Sequence, residues 1–378
     1  MVSMTLEHLF KKTVFLFGAG ASMHAGCKSS KGMLQNLKSS ISQLPPDHDC
    51  KAHFAAIYDF IIQSLTYQNA LKDPDRKLSD LSNIEDFIAV LRQMIDREFI
   101  VPSPLIGSWN TKITSWELKR ERVFQDFLDY VYEKLVNEWT KFDEEKAKEL
   151  VRPIRNLVNS DNFDLRIFSL NYDLIFERIF NSSEESLVYT GFSQDRWVGD
   201  FEDPNLKEKI KLFKLHGSLD WYFDKEEEEV LQGQNANVKP LLVFGSGPKI
   251  QSYDPFLSLL SGLRSQLRDA SLFVTVGYSF QDKYINNILI QSLSSEVNKQ
   301  LLVVDPILED EKMKFIERIE DFQSTRSLTD IISFTQLSPD KVEFAKMTAK
   351  DFFELYFADD CAELKSKLQA VEQGEKVF

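Results

Sequence analysis

Cysteine is scarce in this chain: Cys27, Cys50 and Cys361 are all there are among 378 residues. No two of them form a CxxC pair or a metal-ligand spacing, and a disulfide framework would be unusual at this length. Reduced thiols in a cytosolic protein, with no bound metal, are therefore expected. Long apolar runs are missing too. Nothing approaches the roughly 20 residues needed to cross a bilayer. The N-terminal stretch MVSMTLEHLFKKTVFLFGAG passes from a short apolar segment straight into glycine, unlike a secretory signal. Positive charge is in deficit, with 45 Lys and Arg against 59 Asp and Glu and a formal charge of −14. A protein that grips nucleic acid needs a concentrated basic surface. Direct nucleic-acid binding is not expected, and such contact would need a local basic patch or a partner that supplies one. The expectation is a cytoplasmic chain with no membrane contact.

With 43% hydrophobic and 28% charged residues, the chain reads as globular, with length for one large core or two domains. Its organising stretch is Val14-Phe-Leu-Phe-Gly18-Ala19-Gly20-Ala-Ser22. The apolar run has the length and composition of a buried parallel strand. The glycines after it allow backbone amides to approach a ligand closely, as in a phosphate site at a helix N-terminus. By itself such a loop is compatible with many nucleotide binders.

Between about residues 30 and 150 the pattern is helical. Ile84, Phe87, Ile88, Leu91, Met94 and Ile95 share one helix face, with Asn83 as N-cap and Asp86 in the first turn; Phe124, Phe127, Leu128, Val131 and Leu135 repeat it. Asp73-Pro74-Asp75 and Val101 to Pro104 read as loops. Strand-like runs then resume, each ending in a polar or glycine break: Leu165–Ser169, Lys211–Leu215, Leu241–Phe244, Leu272–Val276 and Leu301–Val304. Short apolar strands alternating with helices predict an α/β fold, a Rossmann-like parallel sheet flanked by helices, which binds ligands at the carboxyl ends of its strands. Lys225 to Pro240, with four consecutive glutamates, reads as a solvated loop. Val342 to Tyr356 and Ala362 to Val371 read as helices, with Thr348 as an N-cap and Asp351 at N3. The expected division is a catalytic domain over 1–310 with the helical insertion inside it, and a mostly helical C-terminal extension over 311–378.

Three fragments fall at predicted strand ends: Gly18-Ala19-Gly20-Ala21-Ser22, Ser169-Leu-Asn171-Tyr-Asp173 and Leu215-His216-Gly217-Ser218. Each has a plain reading. Asn171 and Asp173 suit an Asx-turn or helix N-cap, His216 a structural histidine, Asp305-Pro306 a turn, and His24 a loop residue. Taken together and in this order, they resemble the sirtuin fingerprint: a GAGxS loop, an N-x-D segment, and a catalytic histidine followed by glycine. Gly277-Tyr-Ser279-Phe280 is similar to that family's glycine-serine turn near the ribose. Ile84-Glu85-Asp86 and Gly277 to Asp282 resemble the sirtuin-like NAD-hydrolase branch of bacterial anti-phage systems.

The resemblance implies NAD as substrate and cleavage of the nicotinamide–ribose bond. As nicotinamide leaves, the ribose takes on oxocarbenium character, as in glycoside cleavage. Asn171 would orient water or ribose without titrating, His216 would act as general base, and Asp173 would hold the ribose hydroxyls or the loop. Gly18, Ala19, Gly20 and Ser22 would hold the pyrophosphate, Gly277 and Ser279 the ribose, and Asp305 the adenosine ribose. Deacylase sirtuins commonly carry a four-cysteine zinc module after the catalytic histidine; here no cysteine lies between His216 and Cys361. The loop after Gly26 also lacks their Pro and Phe-Arg. Both departures favour water as acceptor, hence an NAD hydrolase. An NAD-dependent protein deacylase and a non-catalytic NAD or ADP-ribose sensor stand as alternatives. Resemblance further implies control by homo-oligomer assembly or by a partner, such as a HerA-like hexameric ATPase that translocates DNA.

Overall fold

The computed structural model describes residues 4–72, 83–96, 122–181, 185–203, 205–233, 238–244, 254–296, 298–306 and 341–374. Helix α1 (Leu6–Lys12), N-capped by Thr5, buries Leu6, Leu9 and Phe10 and hands the chain to β1 (Thr13–Phe17). β1 is buried along its whole length, as an apolar run central to a parallel sheet must be. A single 3₁₀ turn, Ala19–Ser22, follows.

Next come α2 (Ser30–Gln43), α3 (Lys51–Lys72), α4 (Ile84–Asp96) and α5 (Val123–Lys134). These form one of two compact units, built from residues 28–141 and 243–249. Its core is aromatic: Phe54 stacks on Phe127 at 4.6 Å, and Phe87 meets Phe127 edge-on at 5.9 Å. The α4 face expected from periodicity is buried at Ile84, Phe87, Ile88, Leu91 and Met94, and Asn83 Oδ1 caps it by accepting from Asp86 N at 2.9 Å. The loops expected at Asp73–Asp75 and Val101–Pro104 lie outside the described residues, as does the expected domain boundary at 310.

The other unit comprises residues 1–27, 142–242 and 250–378. In chain order it contains α6 (Glu144–Leu157), β2 (Leu165–Ser169), α7 (Ile175–Phe180), β3 (Val188–Tyr189), β4 (Phe192–Ser193), β5 (Arg196–Trp197), β6 (Ile210–Lys214), β7 (Trp221–Asp224), β8 (Glu229–Gln232), α8 (Phe256–Asp269), β9 (Leu272–Val276), α9 (Lys283–Ser295), β10 (Gln300–Val304), β11 (Val342–Ala345), α10 (Ala349–Tyr356) and α11 (Ala362–Glu372). Seven strands form a parallel sheet in the order β11-β10-β9-β1-β2-β6-β3. The chain winds one way from β1 through β2 and β6, then returns to β9 on β1's other side and continues to β10 and β11. The topological switch therefore lies between β1 and β9, where open α/β sheets bind ligands.

Register places the motifs. Phe17 pairs with both Ser169 and Val276, Ser169 with Lys214, and Val304 with Val276 and Ala345. Six strands thus end level, and the residues just beyond them emerge along one rim.

Three expectations are corrected. Leu241–Phe244 is no strand of this sheet: Leu242 makes a single antiparallel bridge to Gly217, because β3 already occupies the edge beside β6. Val342–Ala345 is a strand, β11, paired with β10, and helix begins only at Ala349; the Val-Glu-Phe-Ala alternation suits a sheet edge better than a helix face. Thr348 and Asp351 form the expected capping box at α10. Finally, the glutamate-rich segment is a turn at Lys225–Glu228 leading into β8, not a continuous loop; residues 234–237 of it lie outside the described residues. β8 joins β4, β5 and β7 in an antiparallel sheet. That sheet is held by an aromatic cluster, with Trp221 5.0 Å from Phe192 and 5.9 Å from Trp197, while Arg196 draws Glu229 to its outer face at 2.5 Å.

Candidate functional site

The glycine loop after β1 is docked on the loop after β9. Gly18 N donates to Val276 O at 3.0 Å, Gly20 N to Gly277 O at 2.9 Å, and Ala21 N to Gly18 O at 2.9 Å. A β-carbon at Gly18 would sit 2.6 Å from Gly277 O, and one at Gly20 2.6 Å from Gly277 Cα. Gly277 itself has φ of +59°, and a β-carbon there would meet Ala21 N and the Gly20 backbone at 2.4 Å. These glycines are required by backbone-on-backbone packing at the switch point, whatever they also do for a ligand. The turn beyond is braced: Tyr278 Oη donates to Asn286 Oδ1 at 2.7 Å, and Asn286 Nδ2 donates to Phe280 O at 2.7 Å. Ser279 is exposed on that braced turn.

Across β1 on the β2 side, the loop is tied to the N-x-D segment. Asn171 Nδ2 donates to Gly18 O and to Ser22 Oγ, both at 2.9 Å, and Ser22 Oγ donates to Asp173 Oδ2 at 2.7 Å. The other carboxylate oxygen, Asp173 Oδ1, accepts from Ile175 N at 3.2 Å and so starts α7. Asp173 therefore performs the local turn-capping expected of its sequence position and the long-range contact as well. The structure brings Gly18, Ser22, Asn171 and Asp173 into one hydrogen-bonded cluster, although 149 residues separate Ser22 from Asn171.

His216 lies one strand further, in the turn after β6. It is buried, with Nε2 3.0 Å from Asp282 Oδ2. Asp282 is itself buried and fixed as the N-cap of α9, where Oδ1 accepts from Tyr284 N and Ile285 N. An ionised Asp282 sets the proton on Nε2 and makes Nδ1 the basic nitrogen. The His216 turn abuts the N-x-D segment through Leu219 N and Tyr172 O at 3.2 Å, and the Tyr172 and His216 rings lie 6.5 Å apart. Asp305 follows β10, half-buried, its N donating to Ala345 O at 3.2 Å. At the usual ~4.8 Å strand spacing, His216 and Asp305 each stand about 10 Å from the glycine loop on opposite sides. The candidate residues thus span a row of about 20 Å centred on the switch point.

Three neighbours were not singled out from sequence, Lys214, Glu177 and Asp220, and Asp282 enters there only within the Gly277 to Asp282 stretch of the resemblance. Asp282 immediately precedes a helical run, an N-cap signal. Lys214 is a cation inside an otherwise apolar strand, and Glu177 interrupts the apolar Ile175-Phe-Glu-Arg-Ile-Phe180 helix; a charge in such a setting needs a partner. Lys214 Nζ donates to the Asp173 carbonyl and lies 3.3 Å from Glu177 Oε1. With Ser22, Asn171 and Asp173, these two line a cavity of about 10 Å³, room for one water and not for a nucleotide.

Burial raises the Glu177 carboxyl from its ordinary 4.5 to about 7, with Lys214 pulling it down and Asp220 and Asp173 pushing it up. The folded chain then keeps a proton that the unfolded chain releases. The resulting stability is fully present below about pH 4.5 and is lost as pH rises through about 7. Since Gln does not titrate, the stability of wild type relative to Glu177→Gln should fall by up to roughly 3 kcal/mol across that window. Urea melts at several pH values read this directly; parallel curves for the two proteins would contradict it. The three cysteines are buried, and none forms a disulfide with another. Among the described residues no group of three or more His, Cys, Asp or Glu is arranged to hold a metal ion, and no helix is long and apolar enough to cross a membrane.

The protein is thus a doubly wound parallel α/β protein, with its candidate residues at the carboxyl rim of the sheet. Residues 165–320 match a family model described as SIR2-like domain, a segment that includes Asn171, Asp173, His216, Gly277, Asp282 and Asp305 but not the glycine loop. No curated protein matches this chain. Among solved structures, a Sir2 homologue mutant with ADP-ribose is 12% identical, covering 97% of both chains at a TM-score of 0.37. A Sir2 homologue with NAD is 11% identical, covering 97% of this chain and 94% of that one at a TM-score of 0.38. These likenesses are too distant to bear on substrate or mechanism.

Proposed function

We propose that this chain is an NAD glycohydrolase that converts NAD and water to nicotinamide, ADP-ribose and a proton. The observation that carries the reading is the Ser22–Asn171–Asp173 cluster tied to Gly18 at the switch point. A dinucleotide would lie across the strand-end loops, outside the small cavity, with its pyrophosphate by Gly18 to Ser22. Gly277 and Ser279 would flank a ribose, and Asp305 would accept from the adenosine ribose. The nicotinamide ribose would lie towards Asn171 and His216. As the C1′–N bond breaks, Asn171 orients the attacking water and His216, aligned by Asp282, takes its proton. The SIR2-like match over 165–320 supports NAD as the ligand class.

A role in anti-phage defence by NAD depletion, homo-oligomer assembly and a HerA-like ATPase partner are extensions of this reading and rest on the sequence resemblance. An NAD-dependent deacylase would use the same residues with an acylated lysine as acceptor. The test is purified protein with NAD, with and without an acetylated peptide, over a range of protein concentrations. Nicotinamide and ADP-ribose should form without peptide, and His216→Ala should remove the activity. Turnover that requires peptide and yields O-acetyl-ADP-ribose would replace the hydrolase with the deacylase. Tight ADP-ribose binding without turnover would leave a sensor.

A further inference from the structure

Lys214 ends β6 with its side chain 2% exposed. An ammonium in that position costs several kcal/mol unless its donors are used. One donor goes to the Asp173 carbonyl, and the Glu177 carboxylate lies 3.3 Å away. Both Glu177 oxygens are fully buried and, among the described residues, accept no hydrogen bond from a protein group. They face the cavity whose other polar walls are Ser22, Ser169, Asn171, Asp173 and Lys214. Although most of the lining is apolar, it includes enough polar groups to hold a single ordered water.

We propose that Glu177 is a positioning residue that switches the nucleotide site. Ionised, it holds Lys214 and one water, and so keeps the Asp173 segment, Ser22 and Asn171 in the binding arrangement. Protonated, it releases Lys214, and affinity falls. This rests on the reading above that the Ser22–Asn171–Asp173 cluster contacts the nucleotide.

The groups that face Glu177 limit what else can cause such a switch. They are Lys214 from β6, Asp173 from the turn before α7, and Asp220 from the turn after β6. Phe17, Leu150 and Phe353 close the other sides and carry no charge. Cys27 lies within the field of Asp173 and Lys214, but burial, reinforced by Asp173, pushes its thiol far up and keeps it neutral. Burial also places the Glu177 transition in the neutral range, at about 7.

The experiment titrates the full chain with ADP-ribose by calorimetry from about pH 6 to about pH 8, for wild type, Glu177→Gln and Glu177→Asp. Wild-type affinity should rise about tenfold over that range, an ordinary coupling strength. Glu177→Gln should stay at the weak value throughout, and Glu177→Asp should regain the slope. NAD turnover followed in parallel separates the two readings. If ADP-ribose binding shows the Glu177-dependent slope but NAD is not consumed, the hydrolase reading fails and the switch stands. A slope that survives in Glu177→Gln belongs to another group and overturns the switch. So does a wild-type affinity independent of pH, or no ADP-ribose binding at all. Should Glu177→Gln not fold, the midpoint of the slope decides: Glu177→Asp, with a different carboxyl in the same place, should move it, and a midpoint unchanged from wild type belongs to another group and overturns the switch.

Discussion

Asn171→Ala is expected to lower NAD turnover by about 10²–10³-fold, the range seen when one preorganised polar group is removed from a reacting centre. Its side chain is half-buried at the rim and spans two motifs, donating to Gly18 O and to Ser22 Oγ. Losing two neutral hydrogen bonds costs about 1–2 kcal/mol of stability. In a chain of this size that lowers the melting temperature by only a few degrees. The two readouts therefore separate. A folded Asn171→Ala protein with near wild-type turnover would remove Asn171 from the chemistry. If ADP-ribose affinity falls by the same factor as turnover, the residue acts in binding; if turnover falls further, it acts on the transition state.

Gly277→Ala should have the largest effect on stability, roughly 2–5 kcal/mol. A non-glycine residue at φ of +59° costs about 1–2 kcal/mol by itself. The new methyl would also lie 2.4 Å from Ala21 N and the Gly20 backbone. No flexible side chain can yield there, so the glycine loop must separate from the β9 loop, and a clash of that kind costs a further 1–3 kcal/mol or so. ADP-ribose binding should be lost along with it. Gly262, within α8, is the control, since a β-carbon there would make ordinary contact with the Phe213 ring at 3.6 Å. Gly262→Ala should be neutral or stabilising by up to about 1 kcal/mol. Urea denaturation of both variants provides the comparison, and equal effects would show that the loop interlock contributes little.

The resemblance reads Gly277 as a ribose contact, and the structure adds a second role, letting two loops pack. Spacing after a strand reveals that a glycine is needed but not what approaches it. The same limit applies to the histidine. His216 is legible because Lys211–Leu215 reads as a buried strand that ends in a polar break. Its partner Asp282 is 66 residues away, and no local pattern in the sequence links the two. Lys214 and Glu177 stand out as charges in apolar surroundings, but only the pairing of β2 with β6 brings α7 over the end of β6 and closes the pair.

The division follows from the range of the interactions involved. Local apolar runs with glycine or polar breaks are enough to mark β1, β2, β6, β9 and β10, because a strand buried on both faces must be apolar residue by residue. The periodic faces and caps of α4 and α10 are equally local. By itself, then, the sequence determined which residues stand at strand ends, and so where chemistry could occur. Strand order, register and edge occupancy depend on which segments meet across hundreds of residues, and no short pattern encodes them. Only the tertiary structure decided that β3, not Leu241–Phe244, lies beside β6, and that Val342–Ala345 is an edge strand. It also decided that Ser22, Asn171 and Asp173 share one hydrogen-bonded cluster above a buried Lys214–Glu177 pair.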